Sequence, residues 1–192
     1  NLFPQASLYI DHSVASGGYY CHIHHHKKFN TQEVRKLELE MHRLVEANLP
    51  LERHEAGVND AIAYFEEKNY QDKVHLMRHR RKPYVTLYSL GSHRDYHHGY
   101  MVPATGYIQW FELVPSNGGF TLRFPHRNSP TMLGHMESYP KLLHAFRQYG
   151  HWLEKLGIDS VGALDDAIQG GRSREIILVS EALHDQHIAS IA

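Results

Sequence analysis

Apolar residues at helical spacing predict two helices in the first half of the chain. The clearer one runs from Thr31 to about Asn48, because Asn30 and Glu33 stand at the two positions of a capping box. Its apolar stripe is Val34, Leu37, Met41, Leu44 and Val45. A second helix is predicted from Val58 to about Phe65, with Asn59 as its cap. Helices with one apolar face are typical of a layer packed on a sheet.

Short β-prone segments around these helices predict the sheet. The expected strands are residues 7–10, 19–23, 49–55, 73–77, 84–90, 107–114 and 120–124. Asn117-Gly118 is a hairpin turn sequence, and the histidine-rich segment after residue 90 is predicted as a turn. Together these elements predict an α+β fold, a two-layer domain with a mostly antiparallel sheet and covering helices.

The last third of the chain has a different, helical pattern. Three helices are predicted, over Pro140–Leu156, Ser160–Ile168 and Ser173 to about Ile191. We therefore expect an α+β domain over residues 1–126 and a helical connector over 127–192.

Composition narrows the functional classes. None of the apolar runs approaches the roughly 20 residues that a membrane helix needs, so we expect no membrane partner. The single cysteine, Cys21, fits a cytoplasmic protein and is expected in the core. A net charge of −1 gives no general attraction to nucleic acid. Arg78–Lys82 is a local basic cluster, either a solvated loop or a phosphate contact.

Two groups of polar residues are candidates for chemistry. His93, Asp95, His97 and His98 form a dense set of acid, base and ligand groups. In one interpretation Asp95 orients a histidine; in the other it caps the turn and the histidines face solvent. On the strand before the first helix, His22 and the run His24–His26 form either a metal site or an exposed polar face.

Five sequence patches occur in the order and with the gaps of a known family. They are Gly18–Tyr20, Asn30–Val34, Asp60–Phe65, Lys73–Leu76, and Asp95-x-x-x-Gly99-x-x-Val102-Pro103-x-Thr105-Gly106. Over roughly residues 6 to 114 the chain resembles the second additional domain of threonyl-tRNA synthetase. That domain edits mischarged tRNA and recurs in alanyl-tRNA synthetase.

The resemblance implies a catalytic metal site, and this sequence differs from the family at the residues of that site. In the family a Cys-x-x-x-His pair and an upstream His-x-x-x-His form a zinc-type catalytic site. Here His97 and Met101 stand at the positions of the pair, and the upstream motif would fall before residue 1. His97 is the candidate ligand for a divalent metal, whereas a thioether is a poor zinc ligand.

The candidate site residues follow from this alignment and from the histidine-rich segment. We expect catalytic roles for His97, Asp95 and His93. Substrate-binding roles are expected for Tyr20, His22, His98, Met101 and Thr105.

The helical tail carries a second resemblance. Tyr139–Leu142, Leu156-Gly157, Gly162–Asp165 and Ser180–His184 resemble the connector of bacterial uridine kinase-like proteins. These proteins join an editing-like module to a P-loop kinase domain. The resemblance implies a C-terminal kinase domain as partner, with ATP and Mg as its cofactors. Gly170–Ser173 lacks the spacing and the lysine of a phosphate loop.

Three functions are compatible with the sequence. We expect a recognition or regulatory module of a cytoplasmic uridine or nucleoside kinase-like protein, which binds a nucleoside or tRNA-like ligand and is not catalytic alone. The first alternative is an editing hydrolase that cleaves the ester of mischarged tRNA. The second is a structural domain that forms a homodimer.

Overall fold

The computed structural model describes residues 2, 3, 6–14, 17–24, 29–116, 119–135 and 140–189. Strands in these ranges are β1 (Ser7–Ser13), β2 (Tyr19–His24), β3 (Glu52–Gly57), β4 (Tyr84–Leu90), β5 (His93–Tyr96), β6 (Glu112–Ser116) and β7 (Gly119–Arg123). Helices are α1 (Thr31–Glu46), α2 (Val58–Glu67), α3 (Gln71–Arg78), α4 (Pro140–Lys155), α5 (Val161–Gln169) and α6 (Ser173–Ala189). A 3₁₀ turn covers Thr105–Tyr107. The predicted α+β class is confirmed.

The strands form two sheets. One has four strands in the order β1-β2-β7-β6, and the other has three in the order β3-β4-β5. The β1–β2, β2–β7, β6–β7 and β4–β5 pairs are antiparallel. Contacts divide the chain into two compact units, Asn1–His54 with Leu87–Phe146, and Glu55–Thr86 with Arg147–Ala192. The boundary expected near residue 126 stays a prediction.

Helix α1 covers the core of the first unit. Its capping box is present: Asn30 Oδ1 accepts from the backbone N–H of Glu33 at 2.9 Å, and the Glu33 carboxylate accepts from the backbone N–H of Asn30 at 3.0 Å. A buried core cluster joins the helix to the four-stranded sheet and consists of Cys21, Phe29, Val34, Leu113 and Phe120. The expectation that Cys21 is a core residue is confirmed.

In the second unit, one predicted strand is a helix. Residues 73–77 lie within α3, where Val74 and Met77 are fully buried at a spacing of three. Asn59 is also not the cap of α2, because Gly57 holds the cap position and makes no side-chain hydrogen bond. The backbone N–H of Val58 instead donates to the carbonyl of Pro83 at 3.0 Å.

Two further strand predictions need correction. The first residue of the segment predicted as a strand, Tyr107, is the last residue of the 3₁₀ turn, and the strand itself, β6, begins at Glu112. The segment His93–Tyr96, predicted as a turn, is strand β5. The predicted hairpin turn at Asn117-Gly118 lies outside the described residues.

The three tail helices are confirmed as α4, α5 and α6, although Ile191 lies outside the described residues. Ser160 caps α5, its hydroxyl accepting from the backbone N–H of Ala163 at 3.3 Å. None of the helices in the described ranges combines the length and apolar character needed to cross a bilayer.

Candidate functional site

Two predicted catalytic residues lie on the same face of strand β5. Asp95 is opposite Tyr88, and His93 is opposite Leu90 in the β4–β5 register. Residues directly opposite each other in an antiparallel pair share a face, so His93, Asp95 and Tyr88 belong to one surface. Asp95 Oδ1 accepts from the backbone N–H of Tyr96 at 2.7 Å. His93 is exposed, and the catalytic roles of His93 and Asp95 stay predictions.

The loop after β5 is held by the hydroxyl of Tyr88. This hydroxyl donates to the carbonyl of Gly99 at 3.1 Å and accepts from the backbone N–H of Met101 at 3.2 Å. Tyr88 is only 7% exposed, so its hydroxyl is fixed by the packing of its ring. The sequence predicted Tyr88 only as a strand residue. It is the residue that orders the loop carrying the candidate side chains.

His97 and His98 project from this loop and are exposed. The Nδ1 of His97 accepts from the backbone N–H of Gly99 at 3.2 Å, and its ring meets the Tyr88 ring edge-on, with centroids 6.1 Å apart. The ring of His98 lies 5.5 Å from that of Tyr96.

Thr105 is buried and joins the far end of the loop to α1. Its hydroxyl donates to the carbonyl of Leu44 at 2.6 Å and accepts from the backbone N–H of Leu49 at 2.9 Å. Beside it, the backbone N–H of Gly106 donates to Asn48 Oδ1 at 3.2 Å. A Cβ at Gly106 would lie 2.3 Å from that oxygen. The hydroxyl predicted to bind substrate therefore bonds main-chain groups and positions the loop.

Tyr20 and His22 have their contacts in the four-stranded sheet. Tyr20 is 6% exposed and lies opposite His12 on β1. The His22 ring stacks on Tyr9 with centroids 5.6 Å apart, and its Nδ1 is 3.8 Å from Asp11 Oδ2. These contacts belong to β1 and β2, whereas the other six candidates lie on β5 or follow it.

The side chains of the described residues do not fit the zinc-type site of the editing family. Within those ranges no group of three or more His, Cys, Asp and Glu side chains is arranged to hold a metal ion. Burial raises the pKa of the Cys21 thiol to about 11, which keeps it protonated and unsuited to metal binding near neutral pH. His25 and His26 lie outside the described residues.

A groove of about 570 Å³ lies between α1 and the edge of the four-stranded sheet. Its lining is mainly apolar and includes Phe3, Leu8, Phe29 and Met41. Among the described residues, its walls contain none of the eight predicted site residues. The candidate site is thus the surface formed by β5 and its loop.

The basic cluster predicted from sequence makes contacts within the second unit. Arg78 pairs with Glu66 at 3.2 Å, and Arg80 Nε donates to the carbonyl of Tyr84 at 2.8 Å. Lys82 Nζ lies 5.9 Å from the centroid of the Tyr84 ring. These contacts favour a structural role for Arg78 and Arg80 over a phosphate contact.

Comparison with known proteins now adds to this geometry. Part of the chain is similar to threonine–tRNA ligases. The ligase of Carboxydothermus hydrogenoformans is 32% identical over 120 residues, which are 62% of this chain and 19% of the ligase. That of Geobacter sp. (strain M21) is 35% identical over 119 residues, 62% of this chain and 19% of the ligase. That of Syntrophotalea carbinolica is 36% identical over 111 residues, 58% of this chain and 17% of the ligase.

The chain spans about a fifth of the length of these ligases. No family model matches it. The expected similarity to a threonyl-tRNA synthetase is confirmed by these relatives, while the uridine kinase-like context has no counterpart among them. Similarity to part of a ligase is compatible with a module that the ligase shares with other proteins.

Proposed function

We propose that this chain is a recognition module derived from the editing domain of threonyl-tRNA synthetase, and that it binds a nucleoside or a tRNA-like end without hydrolysing it. The observation that carries the proposal is which side chains stand at positions 97 and 101 of the loop. The metal pair of the family would stand at these two positions. Here His97 Nδ1 accepts from Gly99, and Met101 offers a thioether in place of an imidazole.

Binding without hydrolysis is consistent with the remaining polar groups. At this surface Asp95 Oδ1 accepts from the backbone of Tyr96, and Tyr88 holds main-chain groups of the loop. These bonds build a rigid surface, which is the property that a recognition site needs.

The test is to measure binding and deacylation with the same preparation. We expect the chain to bind uridine, adenosine or a tRNA acceptor end in a calorimetric titration, and to leave mischarged aminoacyl-tRNA intact over the time in which a threonine–tRNA ligase deacylates it. Multiple-turnover deacylation that is lost in His97→Ala and kept in a matched His98→Ala variant would contradict the proposal.

An editing hydrolase is the second candidate, favoured by the 32–36% identity to threonine–tRNA ligases. In that case the exposed imidazole of His97 activates water for attack on the aminoacyl ester. His97→Ala should then abolish hydrolysis. The double variant His97→Cys with Met101→His restores the family pair but removes the imidazole of His97. It should therefore abolish the activity of a hydrolase that uses this imidazole as its base. In a recognition module it should create activity only if metal ligands from outside the described residues complete the site.

We further propose that the parent protein is a cytoplasmic nucleoside kinase-like enzyme with its P-loop domain after residue 192. The support is the sequence resemblance of the tail to the kinase connector, in a segment that forms the helices α4, α5 and α6. ATP and Mg would bind in that domain. The natural reading frame should encode a Gly-x-x-x-x-Gly-Lys-Ser/Thr sequence downstream, and the full protein should phosphorylate a nucleoside with ATP. A frame without that sequence would refute the kinase context and leave the recognition module intact.

A further inference from the structure

Tyr100 is the most exposed large hydrophobic residue of the described part of the chain. Its exposure is 91%, although the two residues beside it are hydrogen-bonded to the buried Tyr88. An aromatic ring that stays in water gains almost no hydrophobic free energy on folding, because that gain comes from burial. Tyr100 is not among the residues that carry the resemblance to the family.

The backbone on both sides of Tyr100 is fixed in place. The carbonyl of Gly99 and the backbone N–H of Met101 share the hydroxyl of Tyr88, at 3.1 and 3.2 Å. A ring with two rotatable side-chain bonds on a fixed backbone loses little conformational entropy when it binds a ligand. Tyr100 is therefore preorganised for contact.

A cation lies beside the ring. Arg53 Cζ is 5.8 Å from the centroid of the Tyr100 ring, within the distance at which a guanidinium interacts with an aromatic face. Unpaired nucleobases stack on aromatic rings such as tyrosine and on arginine guanidinium planes. The exposed imidazoles of His97 and His98 on the same loop provide N–H groups and lone pairs for the edge of a base.

The overall charge of the chain does not favour a long nucleic acid as the ligand. A net charge of −1 gives no long-range attraction to a polyanion, which favours a contact to one or a few bases over binding along a nucleic acid backbone. A stacking ring with a neighbouring arginine supplies that kind of contact without an extended basic groove.

We infer that Tyr100, placed by Tyr88 and flanked by Arg53, is the stacking residue for an unpaired nucleobase. This inference rests on the proposed recognition function and specifies its ligand chemistry. The base belongs either to a free nucleoside or to the single-stranded end of an RNA, and both present the same planar surface to the ring.

The test is a calorimetric titration of five proteins, the wild-type chain, Tyr100→Ala, Tyr100→Phe, Tyr88→Phe and Tyr107→Ala. Tyr107 is the matched control, because it is a tyrosine of the neighbouring 3₁₀ turn and is 69% exposed. The ligands are uridine, adenosine and a tRNA acceptor minihelix with a single-stranded 3′ end. A minihelix with a blunt end separates recognition of an unpaired base from recognition of the duplex.

The loss of one stacked base should raise Kd by about 5- to 150-fold in Tyr100→Ala. Tyr100→Phe keeps the ring and should stay within about threefold of wild type, as should Tyr107→Ala. Tyr88→Phe keeps the ring of Tyr88 but removes both hydrogen bonds to the loop, so its Kd should lie between those of wild type and Tyr100→Ala.

The outcomes are distinct. Tight binding by the wild type that is unchanged in Tyr100→Ala would overturn this inference and leave the recognition function standing. The absence of binding to all four ligands by the wild type would overturn both. Preference for the single-stranded minihelix over the nucleosides would support the inference and identify RNA as the source of the base, and the reverse preference would support it with a free nucleoside.

Discussion

Replacing Thr105 by valine tests how much one buried hydroxyl contributes to holding the end of the candidate loop. Thr105 is 6% exposed, and its hydroxyl bonds both the carbonyl of Leu44 and the N–H of Leu49. The carbonyl of Leu44 belongs to the last turn of α1, where the next available amide, that of Asn48, donates to Val45 instead. Asn48 leaves the helix with φ of 48°, so the helix cannot continue and supply another donor.

Valine has nearly the shape of threonine and cannot make either bond. The substitution leaves one buried acceptor and one buried donor unpaired, each at a cost of about 1–3 kcal/mol, and partial relaxation or entry of water reduces the sum. We expect a loss of about 2–4 kcal/mol in the free energy of unfolding. For a chain of this size that corresponds to a decrease in Tm of about 4–16 °C.

The assay is urea unfolding followed by far-UV circular dichroism and by tryptophan fluorescence. Thr105→Ser is the control, because it keeps the hydroxyl and removes one methyl group, at a cost of about 0.8 kcal/mol. Valine should be more destabilising than serine by at least about 1 kcal/mol. Equal losses for the two variants would refute the role assigned to the hydroxyl and would leave only the packing of the methyl group.

Two further predictions concern the second unit. Gly162→Ala would place a Cβ 2.8 Å from the Cβ of His75 and should reduce the free energy of unfolding by more than about 1 kcal/mol. In the control Gly150→Ala, the new Cβ in α4 has no atom within 4 Å, so the free energy of unfolding should rise by about 0.5–1 kcal/mol. Equal effects of the two substitutions would contradict the close approach at Gly162. The hydrogen bond from His79 is the main cause that lowers the pKa of Asp166 below its ordinary value. The stabilisation by this carboxylate is therefore present above its unfolded-state pKa and is lost as pH falls through its folded-state pKa. The urea midpoints of wild type and Asp166→Asn should consequently converge in acid. A difference between the two midpoints that stays constant down to about pH 2 would contradict the role of this carboxylate.

The sequence predicts α1 well because several local signals agree there. The cap at Asn30, the acidic residue at Glu33 and the apolar stripe all favour the same helix, and the structure has it from Thr31 to Glu46. Residues 73–77 carry one short apolar run, which fits either a strand or a helix turn. Burial of Val74 and Met77 on one side resolves that ambiguity, and this burial depends on tertiary contacts that local spacing does not contain.

The candidate site is only partly accessible to sequence reasoning. The pattern identified the segment that carries His93 and Asp95, but it did not show that these residues lie in a strand. Strand β5 is an edge of its sheet and has few apolar residues, so its pairing with β4 leaves no alternating signal. The roles of Tyr88 and Thr105 depend on bonds to groups 11 or more residues away, and such pairs become visible only in the folded chain.

The way the loop after β5 is held has a consequence for how the domain diverges. Its shape depends on the Tyr88 hydroxyl and on the main-chain groups of Gly99 and Met101, which every amino acid at position 101 except proline would provide. The side chains at positions 98, 100 and 101 can therefore be exchanged while the backbone path stays the same. A domain built in this way can lose a catalytic activity and acquire a different binding specificity through a few substitutions that leave its fold stable.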